Sequence, residues 1–316
     1  MVQALPEVTN CLATPSRRWR LGAWIALLLA PGLAIMTVFV AAPLLSSFRY
    51  AFYEFHGVLP SAFIGFANFH DILFDSTYAV STWRALAHNA IVFASLMIVQ
   101  NGLAYLIAFA LLKALPGHRL HQVIIFLPVM LSAVIVGFLW KLFFHPLFGL
   151  VNAALALVGI QGLPWLGTES TALGAIIFTN AWHWVGFPAL IFLAGMQRIS
   201  RETIEAARID GASDTVLMTR IIWPLVAPSA TIVVILTFIG SFNWFELPYI
   251  MAGATGSPGG ATDVLGLFFY RTAFGSASSG LQDFGHGSAL AVLMFLFIAI
   301  VSALALRVLR AREIET

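Results

Sequence analysis

Charged side chains are scarce in this sequence, since Asp, Glu, Lys and Arg together make up only 9% of it. Soluble domains carry about 25% charged residues, so the shortage excludes that class. Hydrophobic residues reach 60% and the mean hydropathy is +0.93, which indicates an integral membrane protein. A formal net charge of +2 is too small to indicate nucleic-acid binding.

Cysteine is almost missing as well, because Cys11 is the only one in the sequence. A lone thiol excludes an intrachain disulfide and argues against redox chemistry. Paired intramembrane carboxylates, a P-loop and a G-x-S-x-G nucleophile motif are also absent. His118 and His121 are three residues apart, but no carboxylate or thiolate joins them. We therefore expect neither a metal site nor catalytic residues.

Long apolar stretches dominate the sequence instead. Each approaches or exceeds the 20 or so residues that a helix needs to cross a bilayer core of about 30 Å. The six candidate spans are residues 21–43, 86–112, 121–143, 171–196, 225–248 and 286–306. We predict an all-α integral membrane protein with six transmembrane helices. Its expected parts are an N-terminal tail (1–20), a transmembrane domain (21–306) and a C-terminal tail (307–316).

The distribution of Lys and Arg predicts the orientation. Of the 16 basic residues, only Arg49, Arg84, Lys141 and Arg271 lie on one side of the predicted membrane, which leaves 12 on the other. Cytoplasmic segments carry the excess of Lys and Arg. Both termini and the loop 200–224 are therefore expected in the cytoplasm.

The loop 200–224 is a polar island between apolar spans. Ser200 is a typical N-cap, and Gly211 suits the left-handed residue that ends a helix. Ser213 can cap a second short helix, which Pro224 is expected to end. The apolar side of that second helix, expected at the membrane interface, is formed by Val216, Leu217, Ile221 and Ile222.

The order of residues in this loop resembles the cytoplasmic E-A-A loop of permease subunits of ABC-type importers. Three residues separate Glu205-Ala206-Ala207 from Gly211, and Pro224 follows at the family spacing. Trp223 departs from the pattern, because the family usually has leucine before the proline. The likeness covers nearly the whole chain from residue 20, including an external F-x-G-x-x-N-F at 63–69 and a loosened Gly-Gly-Pro-Thr segment at 253–262.

These features are typical of the carbohydrate-uptake branch, the maltose and glycerol-phosphate type. The resemblance implies a multi-pass subunit of the bacterial plasma (inner) membrane, the fold of a type I importer permease and a second homologous permease as partner. It also implies two ATP-binding subunits and an extracytoplasmic solute-binding protein. ATP and Mg would be bound by the ATPase partner and no cofactor by this chain. The residues implied in ATPase contact are Glu205, Ala206, Ala207, Asp210 and Gly211.

The candidate solute pathway consists of Asn243, Trp244 and Glu246 near the end of the fifth span, and Trp182 in the fourth. Amide and carboxylate groups bond hydroxyls, and an indole offers a flat apolar face. An acidic residue at membrane depth is a functional hypothesis by default. Glu246 in water and an aromatic packing cluster around Trp182 are the alternatives. Asn89, Gln100 and Asn101 are expected to make hydrogen bonds between helices.

Two other classes of membrane protein are weighed against the importer. A secondary transporter or channel without an ATPase partner fits the span count equally well, but would carry charged residues inside spans or broken helices at matching positions. Neither is clear in the sequence. A membrane-embedded enzyme would need a polar catalytic cluster at one depth, and the sequence offers none.

Overall fold

The computed structural model describes residues 15–57, 59–113, 117–275 and 282–311. The predictions made for Cys11, for the start of the N-terminal tail and for the end of the C-terminal tail lie outside the described residues. The chain divides into two compact units, residues 1–49 and 50–316.

The described part of the first unit is one helical stretch. Helix Pro15–Met36 continues through the π-helical turn Thr37–Ala41 into Ala42–Tyr50, so the expected span at 21–43 lies within it. Residues Trp24–Tyr50 are long and apolar enough to cross a membrane. Apolar side chains such as Leu28 and Phe39 are exposed, as lipid-facing positions require.

The second unit holds two further continuous helices of membrane length and three bent helix pairs. The second span is Ala79–Ser95, the π-helical Leu96–Gln100 and Asn101–Leu112, and the sixth is Phe284–Arg310. The bent pairs are Leu120–Met130 with Ala133–Phe143, Glu169–Trp184 with Gly186–Met196, and Asp214–Leu225 with Ala227–Phe242. Counting each pair as one span gives up to six spans in the described residues.

The fifth span differs from its prediction. The apolar stretch 225–248 is not one helix, because helix Ala227–Phe242 ends before Asn243 and a new helix, Glu246–Ala252, follows. Pro224 does not end the preceding helix either. That helix continues to Leu225, and the chain turns by 77° at the next residue. Pro224 lies in the short segment Trp223–Leu225, which directly follows the π-helical turn Leu217–Ile222, so the helix ends one residue beyond the proline.

Short elements lie between the spans, and a β-hairpin adds to the expected all-α fold. Strands Tyr53–His56 and Leu59–Phe63 pair antiparallel, with Tyr53 opposite Phe63. Buried Asn68 donates to the carbonyls of Ala51 and Tyr53, both at 3.0 Å, and so ties the hairpin to the next helix. The remaining helices are Ala67–Phe74, Leu150–Leu157, Arg201–Ile209 and Leu265–Phe274.

Two apolar clusters form the core of this unit. One gathers Val92, Trp140, Ile176, Leu247 and Leu267 from five different helices. The other contains Tyr105, Phe109, Phe192, Met196, Leu217 and Ile222. The second cluster joins the second, fourth and fifth spans directly beside the loop 200–224.

The segment 253–263, after the fifth span, is held by one buried carboxylate. Asp263 is fully buried and accepts two bonds from the Arg271 guanidinium, at 2.7 and 3.0 Å. Arg84 contributes a second cation 3.8 Å away, and the Asp263 carbonyl lies 2.6 Å from His88 Nδ1. A buried carboxylate needs such partners because an unpaired charge away from water is costly.

We expect Arg271→Ala to destabilise the protein far more than Arg84→Ala. Removing one partner of a buried ion pair costs about 3–5 kcal/mol. Arg84 serves as a matched control, because its side chain is 43% exposed and lies farther from the carboxylate. Thermal unfolding in detergent, followed by size-exclusion chromatography, measures the difference. Equal shifts in Tm would contradict the assigned geometry.

Candidate functional site

The loop 200–224 folds as two capped helices. The Ser200 hydroxyl accepts a bond from the Thr203 N–H at 3.2 Å, and the Ser213 hydroxyl accepts one from the Val216 N–H at 3.4 Å. Both serines have extended backbone, as N-caps do. The two predicted N-caps are confirmed.

The first helix of the loop ends in a tight glycine turn. Gly211 has φ of +84°, a conformation that other residues rarely adopt. Its N–H bonds the Arg208 carbonyl at 3.1 Å, and the Ala212 N–H bonds the Ala207 carbonyl at 2.9 Å. These two bonds form a Schellman motif, which satisfies carbonyls that the helix end would otherwise leave unpaired.

The tip of the loop presents a mixed polar and apolar surface. Glu205, Ala206, Asp210 and Gly211 are exposed, whereas Ala207 is half-buried against the protein's own second cluster. The structure thus brings four of the five predicted contact residues to one free surface. Ile209 was not singled out by the sequence, yet 86% of it is exposed. The sequence feature that could have identified Ile209 was an apolar residue next to Asp210 in an otherwise charged helix.

The second helix of the loop packs on the protein itself. Leu217 and Ile222 are buried in the second cluster, so the expectation that they face the membrane interface is wrong for these two. The Tyr105 hydroxyl donates to the Met218 carbonyl at 2.6 Å. Trp223, which departs from the family pattern, packs edge-on against the Tyr105 ring with centroids 5.0 Å apart.

An ion-pair joint links this second helix to its neighbours. Asp214, in its first turn, accepts bonds from both Lys113 and Arg208. Lys113 follows the last residue of the second span, and Arg208 belongs to the first helix of the loop. All three side chains are partly exposed, so these ion pairs contribute little to the free energy of unfolding. Their main effect is to orient the two loop helices relative to the end of the second span.

A cavity of about 590 Å³ lies between the second, fourth and fifth spans. It borders the break at Asn243, where backbone leaves the helix. Non-helical backbone at membrane depth is tolerated where it lines a cavity. The polar lining residues are Gln100, Asn180, Thr237, Ser241, Asn243 and Glu246. The aromatic lining residues are Trp184, Phe187, Trp244 and Phe245.

Three of the four predicted solute-pathway residues line this cavity: Asn243, Trp244 and Glu246. Trp182 does not line it and instead packs edge-on against Trp140, with centroids 5.5 Å apart. Trp184 takes the lining position and is 41% exposed. A role for Trp182 in the pathway stays a prediction, and the structure adds Trp184 as a candidate.

The amides of the second span make the expected bonds between helices. Asn89 Nδ2 donates to the Ser241 carbonyl at 2.6 Å, and Asn101 Nδ2 donates to Thr237 Oγ1 at 2.9 Å. Gln100 Oε1 accepts from Asn180 Nδ2 at 3.4 Å. The prediction of interhelical hydrogen bonds is confirmed, and Gln100 also borders the cavity.

Comparison with known proteins finds similar transport permeases over most of this chain. The family model of the "binding-protein-dependent transport system inner membrane component" matches residues 100–314. The sulfoquinovosyl glycerol transport permease SmoG of Agrobacterium fabrum is 31% identical, over 91% of this chain and 90% of its own. The trehalose/maltose transport permease MalF of Thermococcus litoralis is 30% identical, over 91% and 94%. The probable starch degradation products permease AmyD of Thermoanaerobacterium thermosulfurigenes is 26% identical, over 96% and 100%.

The fold is similar to that of a solved structure. A chain of a bacterial ABC transporter that imports the acidic polysaccharide alginate superimposes with a TM-score of 0.77. The alignment covers 94% of this chain and 96% of that one, at 21% sequence identity. The two chains share a fold over nearly their whole lengths.

We expect Tyr105→Phe to lower the thermal stability of the detergent-solubilised protein by a few degrees. The change removes the hydroxyl that bonds the Met218 carbonyl, which keeps the Trp223 N–H as its other donor, and the loss of one such hydrogen bond costs about 0.5–1.5 kcal/mol. Tyr50→Phe is the matched control, because 39% of Tyr50 is exposed. Identical melting temperatures for the two variants would mean that the Tyr105 bond contributes nothing.

Proposed function

Since this chain belongs to the family of binding-protein-dependent transport system inner membrane components and is a permease of a sugar ABC importer, we propose that loop 200–224 couples it to an ATPase. The proposal rests chiefly on one observation. Within the family-matched region, a doubly capped two-helix loop presents Glu205, Ala206, Asp210 and Gly211 at its surface.

The construction of the loop suits docking. The Schellman turn at Gly211 and the two serine caps satisfy its backbone locally, so the tip needs no further contacts within the chain to hold its shape. Small side chains at Ala206 and Gly211 let a partner surface approach the backbone. Exposed Ile209 offers an apolar contact amid charged neighbours. A partner's cleft could bury all of these at once.

The transported solute passes along the cavity of about 590 Å³ beside the unwound Asn243–Phe245 segment. The hydroxyl groups of a sugar can hydrogen-bond to the amides and the carboxylate of the cavity wall, and the apolar faces of its rings can stack on the aromatic side chains. In this proposal a second, homologous permease completes the pathway and an external binding protein delivers the solute.

Two ATP-binding subunits, which carry ATP and Mg, drive the transport cycle, and this chain contributes no chemistry of its own. Both termini and the loop 200–224 lie in the cytoplasm of a bacterial cell, following the bias of Lys and Arg. The solute is a sugar, oligosaccharide, polyol or glycerol phosphate.

We expect Gly211→Asp to abolish ATP-driven uptake while the protein still inserts in the membrane. Asp at φ of +84° strains the turn and adds a charge at the docking surface. Gly159→Asp is the matched control, because Gly159 also has a positive φ, of +75°, and open space around it. Glu205→Lys should act like Gly211→Asp without straining the backbone.

The measurement is purification of the tagged chain in mild detergent, with mass spectrometry of the co-eluting proteins and uptake in liposomes. An ATPase and a second permease should co-elute with wild type and with Gly159→Asp, and the ATPase should be lost with Gly211→Asp. Solute passage through the chain alone, without ATP, would instead establish a secondary transporter or channel.

The two tryptophans of the fourth span give a separate test of the pathway. Trp184→Ala should raise the half-saturating solute concentration about threefold to tenfold, because aromatic contacts contribute about 0.5–1.5 kcal/mol. Trp182→Ala, which removes a ring packed on Trp140, should lower Tm and leave half-saturation nearly unchanged. The reverse pattern would place Trp182, rather than Trp184, in the pathway.

A further inference from the structure

The charges on the cavity wall indicate which solutes the cavity can accept. The polar groups on its wall are three amides (Gln100, Asn180 and Asn243), two hydroxyls (Thr237 and Ser241) and the carboxylate of Glu246. Among the described residues, none that lines this cavity is Lys, Arg or His. Its wall therefore carries hydrogen-bonding groups and a single negative charge.

Several described cations near the spans bind other groups or line another cavity. Arg271 is bound to buried Asp263, and Lys141 Nζ donates to the Ile250 carbonyl at 3.3 Å. Lys113, Arg201 and Arg208 line a different cavity, of about 560 Å³, beside the loop 200–224.

An anionic solute in this cavity would lack a compensating charge from this chain. Carboxylates and phosphates taken out of water require a cation or several donors, and proteins usually supply Arg or Lys for them. The Glu246 carboxylate would add repulsion of like charges. A neutral sugar has no such penalty, since its hydroxyls can donate to Glu246 and its ring can stack on Trp184.

We propose that this cavity selects uncharged carbohydrates over acidic ones, with Glu246 as the specificity-determining residue. The inference rests on the proposed function, and it narrows the solute to neutral sugars, oligosaccharides or polyols. It excludes glycerol phosphates and uronates. The fold is shared with an importer of acidic alginate, but the cavity wall of this chain is not suited to that cargo.

The first test is the chemical identity of the natural solute. The importer is purified with its binding protein, and the solute released by heat is identified by mass spectrometry. A neutral sugar or polyol supports the proposal, whereas a carboxylate, sulfonate or phosphate ester overturns it. In the latter case the importer assignment itself stands, because an ATPase and a binding protein have still co-purified.

The second test compares that neutral solute with its C6-oxidised uronate in ATP-loaded liposomes containing the complete importer. Wild type should move the neutral compound at least about tenfold faster, which corresponds to one like-charge contact of about 1.4 kcal/mol. Glu246→Gln should reduce this ratio about threefold or more, and Glu246→Asp should restore it. Glu54→Gln, the same change at an exposed position outside the cavity, is the control.

A ratio unaffected by Glu246→Gln would refute the assigned role of Glu246 even if the solute is neutral. If the chain elutes without an ATPase and conducts alone, the proposed function fails. The charge preference is then measured with mannobiose and dimannuronate in liposomes that hold only this chain. Equal passage of both compounds would overturn the inference independently of the importer assignment.

Discussion

The arrangement of the cavity depends on one buried amide. Helix Ala227–Phe242 stops at membrane depth, and the Ser241 carbonyl near its end would have no partner within the helix. Asn89, fully buried in the second span, donates to that carbonyl at 2.6 Å, while its Oδ1 accepts the first N–H of helix Leu265–Phe274 at 2.9 Å. One side chain thus satisfies two helix ends, which lets the backbone unwind where no water can solvate it.

The break makes the cavity wall possible. A helix running on through 243–245 would carry its side chains around all faces, whereas the unwound segment places Asn243, Trp244 and Phe245 along one cavity. Close backbone approach keeps the segment in position: a Cβ on Gly266 would lie 2.6 Å from the Trp244 carbonyl oxygen. The polar wall therefore comes from backbone geometry that Asn89 and Gly266 hold from two neighbouring helices.

Local features of this protein could be predicted from sequence, and long-range ones could not. Ser200, Gly211 and Ser213 act within a few residues of themselves, so their roles follow from helix-end chemistry alone. The break at Asn243 was missed because apolar residues continue on both sides of it and the bond that permits it comes from Asn89, 152 residues before Ser241. Trp182 and Trp184 stand about 200° apart around one helix, and only helix packing decides which faces the cavity.

The loop 200–224 and the cavity contact the same span, at points about 8 to 20 Å apart along its axis. At one end of the second span, Lys113 binds Asp214 of the loop and Tyr105 binds the Met218 carbonyl. Gln100 borders the cavity from the same span, at the last residue of a π-helical turn. A π-turn is an irregularity that recurs at functional sites. The proposed docking surface and the proposed solute path therefore share the second span, although Gln100 and the loop 200–224 are far apart in sequence.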